Sequence, residues 1–314
     1  MSDNVRLSII LAVYNGYPYI KDSVESILNQ TFDKFKLVVI NDGSTDETRA
    51  YLESITDPRV VVFHQENLGL GAALNKGLSF CDTEYVGRID ADDVSTPNRF
   101  AEQIEYLDSH PEVGVVGCRI DYFYDDPAKS GWSPEIPLKH EDILAGLLRN
   151  DHALTHATLV FRRQALERIG GYAIGGIGED WDLFLKLAET TRIVSLNKVL
   201  YKVRLHDASV TWKKWNHCQL KNRYAIYNHK QRQAGRPEIS FDEFSQTEGV
   251  GRWYRLLLEM YNTIDGFSLL NYRLMIIESL KQNRLQSVAR LCVACLVNPY
   301  RLVRRVVRMI SSKK

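Results

Sequence analysis

The 314 residues are 45% hydrophobic and 25% charged with a formal net charge of +1, which excludes wholesale disorder and argues against a nucleic-acid binder with a uniformly basic surface. The five cysteines, Cys81, Cys118, Cys218, Cys292 and Cys295, are too scattered for a disulfide framework and fit a reducing compartment. The length allows one large α/β domain plus an appendage.

The polar start, Met1 to Arg6, does not read as a signal peptide. Leu7–Val13 is a near-continuous apolar run, the pattern of a strand buried on both faces. Tyr19–Gln30 places Ile20, Val24, Ile27 and Leu28 at helical spacing. Strands are then expected at Phe35–Ile40, Val60–His64 and Glu84–Ile89, with helices at Asp46–Ile55 and Gly69–Phe80 between and after them. This alternation predicts βαβ units around a mostly parallel sheet flanked by helices.

A helix at Asn98–Ser109 leads to a strand at Val113–Tyr124, and the Pro-, Gly- and Asp-rich stretch from Asp125 to Pro137 reads as a loop. Further elements are expected as a helix at His140–Arg149, a strand at Ala157–Arg162 and a helix at Arg163–Ile169. A long helix at Glu179–Thr190 and a strand pair over Ile193–His206 follow. Beyond about Ser209 the pattern is helical throughout. No run reaches the roughly 20 apolar residues of a membrane span, since Leu285–Val297 is interrupted by Arg290. Cys292 and Cys295 fall in that apolar helix and are expected as buried thiols.

Ligands of open α/β sheets collect at the carboxyl ends of parallel strands. Two acidic segments fall there: Asn41-Asp42-Gly43-Ser44 after the second strand and Asp90-Ala91-Asp92-Asp93 after the fourth. Asp42 alone also reads as an ordinary turn residue. Three acids in four positions repel one another unless something positive neutralises them. A Mg²⁺ or Mn²⁺ ion shared with substrate phosphates would do so and would stabilise a departing diphosphate. No P-loop is present. Gly69 and Gly71 open a helix and can let its N-terminus approach a phosphate.

These segments, in this order, resemble the family 2 glycosyltransferases with the GT-A fold. The resemblance is carried by Ser8–Gly16, Val39–Asp46, Asn67–Asn75 and Ile89–Asp93. It continues in Pro97, Arg99 and Phe100, in His156-Ala157-Thr158 with Phe161-Arg162-Arg163, and in Gly178-Glu179-Asp180-Trp181. It implies a catalytic GT-A domain over 1–209, divided into a nucleotide-binding half (1–105) and an acceptor-binding half (106–209). A helical region, 210–314, follows as a C-terminal extension.

The resemblance also implies roles. Asp42 would accept a hydrogen bond from a uracil-like base, and Val13, Tyr14 and Asn15 would border base and ribose. Asn67, Gly69, Arg88, Asp90, Ala91 and Asp92 complete the donor side. Asp92 and Asp90 would ligate Mn²⁺ or Mg²⁺, with His206 of Arg204–Thr211 as a further metal or phosphate ligand. Asp180 would be the general base, and His156, Glu179 and Trp181 would meet the acceptor. Blander alternatives stand beside five of these: a salt bridge from Arg88 to the acids, helix capping by Asp180, core packing by Trp181 and a structural role for each of His156 and His206.

The chemistry supports a base independently, because an acceptor hydroxyl is a poor nucleophile near neutral pH. Direct displacement at the anomeric carbon inverts its configuration and needs one such base. The expected reaction moves a sugar from a nucleotide-sugar, most simply a UDP-sugar, onto a glycan or lipid-linked saccharide in cell-surface polysaccharide synthesis. No Q-x-x-R-W-type motif of processive members is present. A nucleotidyltransferase and a non-catalytic glycan- or nucleotide-binding module are the rival readings. The first lacks its N-terminal Gly-rich loop, and the second is at odds with retention of the acids.

At the C-terminus Leu302, Val303, Val306, Val307 and Ile310 share one helical face, opposite Arg301, Arg304, Arg305 and Arg308. Such a basic amphipathic end suits an anionic membrane surface. The expected location is cytoplasmic, peripheral at the inner face of the membrane.

Overall fold

The computed structural model describes residues 5–129, 131–173, 179–205, 215–247, 271, 275 and 284–297. They divide into two compact units, residues 1–121 with 136–204, and residues 122–135 with 205–314.

In the first unit the strands are β1 (Leu7–Val13), β2 (Phe35–Asp42), β3 (Val60–Gln65), β4 (Tyr85–Asp90), β5 (Val94–Ser95), β6 (Val113–Phe123, running to the unit boundary), β7 (Val160–Arg162) and β8 (Arg192–Arg204). The helices are α1 (Ile20–Leu28), α2 (Thr48–Glu53), α3 (Leu70–Ser79), α4 (Arg99–Ser109), α5 (His140–Leu148), α6 (Arg163–Ile169) and α7 (Glu179–Thr190). The sheet order is β3-β2-β1-β4-β7-β6-β8-β5. Pairing is parallel from β3 through β2 and β1 to β4, and antiparallel at β4–β7, β7–β6 and β8–β5.

The parallel half follows from its sequence. Leu7, Ile9, Ile10, Leu11 and Val13 of β1 are all buried, as are Leu37, Val38, Val39 and Ile40 of β2. Fully burying such a side chain contributes roughly 1.5–3 kcal/mol. Helix α1 turns Ile20, Val24 and Ile27 inward at i, i+4 and i+7. Helix α3 lies so close to β1 that a Cβ on Gly77 would come within 2.6 Å of Ile10 Cγ2. The register pairs Val13 with Asn41 and Ala12 with Asp90, so the ends of β1, β2 and β4 form one rim.

Two expectations are corrected and one strand is new. The pair over Ile193–His206 is a single long strand, β8, because Asn197 does not turn the chain but accepts a bond from Arg119 Nη1 on β6 (3.1 Å). The strand expected from Ala157 begins only at Val160, because His156–Thr158 forms a 3₁₀ turn in which Thr158 Oγ1 bonds back to the Thr155 carbonyl (2.7 Å). The two-residue strand β5 was not anticipated; its pairing of Val94 with Lys202 and Ser95 with Tyr201 has no local signal in so short a run.

The second unit contains α8 (Trp215–Gln233), α9 (Phe241–Thr247) and α10 (Arg284–Val297). Leu205 is buried there among Tyr122, Tyr124, Trp132 and Met275, and the Tyr122 and Trp132 rings stack at 5.5 Å. Asn228 of α8 clasps Ile239, donating to its carbonyl (3.1 Å) and accepting from its N–H (3.2 Å). Cys292 is exposed rather than buried: Ala294 faces inward, and two residues along a helix point to nearly opposite sides. No helix among the described residues is long and apolar enough to cross a membrane. The basic end, 298–314, lies outside the described residues.

Candidate functional site

The rim formed by β1, β2 and β4 carries most of the residues singled out from the sequence. Asp42 ends β2 and is buried. Its Oδ1 accepts from Gln65 Nε2 (2.7 Å) and the Leu68 N–H (2.9 Å), and its Oδ2 from the Gly69 N–H (2.9 Å). Asp42 thus builds the loop that starts α3. Gly43 (φ +77°) lies against that loop, and a Cβ there would meet the Asn67 nitrogen at 2.7 Å. Gly69, at φ 85° and ψ 163°, precedes α3 in a conformation open essentially to glycine alone. Asn67 and Gly69 are exposed on the rim.

Val13 is buried, whereas Tyr14 is 53% exposed. Asn15 holds φ 53°; its Oδ1 accepts from the Thr45 N–H (2.8 Å), and its own N–H donates to Ser44 Oγ (2.9 Å). The loops after β1 and β2 are thereby tied together.

At the end of β4 the Arg88 guanidinium is buried and its Nη2 meets Asp90 Oδ1 at 2.6 Å, the ion pair foreseen as one alternative. Ala91 and Asp92 are half-buried beside them. Burial and the neighbouring Asp92 push the Asp90 carboxyl above its ordinary range, with Arg88 pulling the other way. Asp93 is buried and is pushed well above that range by burial and then by Asp92 and Asp90.

Three residues that sequence reasoning left without a role support this acidic turn. Tyr201, fully buried on β8, accepts the Asp90 N–H at its hydroxyl (3.0 Å) and hydrogen-bonds Asp93. Arg99, 0% exposed, donates to Ser95 Oγ (2.9 Å), Gln103 Oε1 (3.1 Å) and the carbonyls of Arg88 (2.8 Å) and Ala157 (2.9 Å), and lies 4.8 Å from the centroid of the Tyr201 ring. Arg204 donates its N–H to Asp93 Oδ1 (2.9 Å) and its Nε to the Asp92 carbonyl (3.0 Å), and it pairs with Asp22. Arg99 and Arg204 stood within recognised segments; Tyr201 had no motif and is found only through its pairing opposite Ser95.

Asp180 is the second residue of α7, half-buried, with Oδ1 accepting the Trp181 N–H (2.9 Å). Burial pushes its carboxyl above the ordinary range, Arg88 draws it down and Asp90 raises it. Asp180 is thus near enough to Arg88 and Asp90 to feel both charges.

Glu179 opens α7; its side chain and the whole of His206 lie outside the described residues. Trp181 and His156, expected at the acceptor, are both buried. Trp181 is 7% exposed and its Nε1 donates to the Leu147 carbonyl (3.2 Å). His156 is 9% exposed and its Nε2 is 3.2 Å from the Tyr172 hydroxyl. Burial and the nearby Arg88 hold this imidazole well below its ordinary pKa, hence neutral. Core packing is the alternative these positions favour for both.

A separate cavity of 530 Å³, lined by residues such as Tyr106, Lys139, His140 and Arg192, lies near the start of β6. That is the opposite end of the sheet from the acidic rim and brings in none of the residues above.

Comparison with known proteins bears on the family and the fold. The chain is 31% identical over 233 residues to the amylovoran biosynthesis glycosyltransferase AmsE of Erwinia amylovora, covering 71% of this chain and 85% of the relative. It is 26% identical to the UDP-Gal:alpha-D-GlcNAc-diphosphoundecaprenol beta-1,3-galactosyltransferase of Escherichia coli, covering 72% and 86%. Among solved structures, S. aureus TarS 1-349 in complex with UDP-GlcNAc superposes with a TM-score of 0.61 at 18% identity, covering 95% of this chain and 92% of that one. The mannosyltransferase PcManGT of Pyrobaculum calidifontis, in complex with GDP-Man and Mn²⁺, gives 0.55 at 18% identity, covering 95% and 88%. These structural likenesses show the fold, which is GT-A. The profile described as Glycosyl transferase family 2 matches residues 8–170, the stretch that holds β1 to β4 with both acidic turns, and this chain belongs to that family.

Proposed function

We propose that the chain is a metal-dependent, inverting glycosyltransferase, with Asp180 as general base, transferring a sugar from a UDP-sugar to a hydroxyl of a glycan or lipid-linked saccharide. The observation that carries the reading is the acidic turn at the end of β4, where the buried Arg88 pairs with Asp90 at 2.6 Å, with the Asp180 carboxyl near enough to feel both charges: a proton acceptor together with acids that suit a donor's diphosphate. The relatives, one a glycosyltransferase of amylovoran biosynthesis and the other a galactosyltransferase acting on a diphosphoundecaprenol-linked sugar, support cell-surface glycan assembly. The neighbours' complexes, with UDP-GlcNAc in one and GDP-Man in the other, support a nucleotide-sugar and favour no base on their own.

The residues fit a hard divalent cation. Asp90 and Asp93 are raised by burial and by like charge, so the turn is short of positive charge despite Arg88. Among the described residues no cluster of three His, Cys, Asp or Glu side chains could hold an ion by itself. Asp92 and Asp90 would hold Mg²⁺ or Mn²⁺ with phosphate oxygens of the donor completing the shell, as Mg²⁺ sites commonly do. The cation would supply charge neutralisation for the leaving diphosphate.

The chain's own residues do the rest. Asp42 fixes Leu68 and Gly69, so that the start of α3 can face a phosphate, and retains acceptor capacity for a base N–H. Val13, Tyr14, Asn15 and Asn67 border the nucleoside. Arg88 orients Asp90. Asp180 takes the proton of the acceptor hydroxyl as it attacks the anomeric carbon from the face opposite the diphosphate, inverting the configuration. In this reading 1–105 binds the nucleotide and 106–209 the acceptor.

The direct test is release of UDP from a panel of UDP-sugars with Mn²⁺, with EDTA and GDP-sugars as controls. Asp180→Asn is expected to reduce transfer to a small residual rate while preserving UDP binding, and turnover undiminished in chelated buffer contradicts the metal. The basic segment 298–314 is proposed to hold the enzyme at the inner, anionic face of the membrane. Flotation with anionic liposomes should be lost on its deletion.

A further inference from the structure

Whatever holds α7 determines where the Asp180 carboxylate stands, because a misplacement of about 1 Å near the reacting atoms costs on the order of 100-fold in rate. Phe184, one turn beyond Asp180 and on the same side of the helix, is fully buried and meets the His156 ring edge-on at 5.6 Å. His156 in turn lies against Tyr172, with ring centroids 5.3 Å apart and Nε2 at 3.2 Å from the Tyr172 hydroxyl.

Tyr172 is itself held by one side chain of the donor half. Asn75 Nδ2 donates to the Tyr172 carbonyl at 2.8 Å, and the Tyr172 N–H donates to Asn75 Oδ1 at 2.9 Å. This reciprocal pair satisfies both backbone groups of Tyr172, as a neighbouring strand would. The chain reaches that position through two consecutive left-handed glycines after α6, Gly170 (φ +78°) and Gly171 (φ +77°). A Cβ on Gly171 would stand 2.9 Å from Asn75 Oδ1. Asn75 belongs to α3, the helix whose first turn Asp42 organises.

We infer that Asn75 and Tyr172 are positioning residues, which set the helix bearing Asp180 through His156 and Phe184 and so tie the donor-binding helix α3 to the base. The inference rests on the reading of Asp180 as general base. It gives His156 a role that does not require contact with the acceptor, and it assigns Asn75 and Tyr172 a function in turnover.

Tyr172→Phe removes the hydroxyl and keeps the ring and the backbone clasp, so it isolates the contact with His156; Asn75→Ala removes the clasp. With saturating donor and acceptor, well below each variant's Tm, both are expected to lower kcat about tenfold, between parity and the ~100-fold of a full ångström's misplacement. Donor KM and UDP affinity by calorimetry are expected to stay within twofold. In an Asp180→Asn background, Tyr172→Phe is expected to change the residual rate no further.

An unchanged kcat in both single variants, a parallel loss of kcat and UDP affinity, or a full additional loss on top of Asp180→Asn would overturn the inference. The premise is read separately: if Asp180→Asn itself turns over normally, the base assignment fails, whatever Tyr172→Phe does.

Discussion

The Gly69 N–H donates to Asp42 Oδ2 at 2.9 Å, so the carboxylate that ends β2 holds the glycine that starts α3. With the bonds from Leu68 and Gln65 it accepts three hydrogen bonds while buried. Hydrogen bonds to a charged group contribute about 1.5–3 kcal/mol each, and contributions within one network are not additive. Asp42→Ala is expected to destabilise the protein by about 3 kcal/mol and to weaken UDP binding at least tenfold, checked by thermal melting and by UDP titration. A pure turn residue would show the first effect without the second.

The Asp180 carboxyl is raised, chiefly by burial. A general base works when deprotonated, so kcat/KM, which reports the free enzyme, should be full above the pKa of Asp180 and fall as pH drops through it. The acid limb of the kcat/KM–pH profile is therefore expected above the ordinary aspartate value of about 4. A limb at or below that value would remove Asp180 from the role.

Asp108 shows the opposite shift. Its carboxylate receives Arg6 Nη2 (2.7 Å) and the Tyr85 hydroxyl (2.6 Å), which, with Arg6 the largest cause, hold its pKa down. A depressed carboxylate contributes stability that is present above its unfolded pKa and lost as pH falls through the folded one. Because the pair is partly exposed, Asp108→Asn should cost only about 1 kcal/mol at neutral pH. It should also flatten the loss of stability below about pH 4, measured by urea unfolding across pH.

Tyr201→Phe would leave the buried Asp90 N–H without its acceptor and Asp93 without the phenolic partner. An orphaned buried group costs about 1–3 kcal/mol. The expected result is a stability loss of that size together with reduced donor turnover, since both acids bound the turn that would grip the cation. A melting temperature and turnover matching the parent enzyme would show the hydroxyl to be dispensable.

The sequence exposed β1 and β2 clearly because strands buried on both faces read as near-continuous apolar runs, and Asp42 and Asp90 stood at the ends of β2 and β4. The antiparallel half was harder. Asn197 and Lys198 look like a turn in isolation and are carried straight through by the cross-strand bond from Arg119. For His156 and Trp181 the sequence left acceptor contact and a structural role side by side, because the partners that bury them, Tyr172 and the Leu147 carbonyl, lie far away in sequence. Asn75 and Tyr172 are 97 residues apart; such reciprocity has no local pattern to detect. Arg99 is similar: a cation at zero exposure is intelligible only once four internal acceptors surround it.

The rim has one evolutionary consequence. Its backbone is fixed from below by Asp42 and Asn15, while Tyr14 and Leu68 project outward at 53% and 66% exposure. Exchanging an exposed side chain commonly alters folding stability by no more than about 0.5 kcal/mol. Under the proposed function, the side chains along this edge can be exchanged between lineages while the scaffold beneath stays unaltered, so that descendants of one ancestral protein can diversify their cargo without first acquiring compensating mutations.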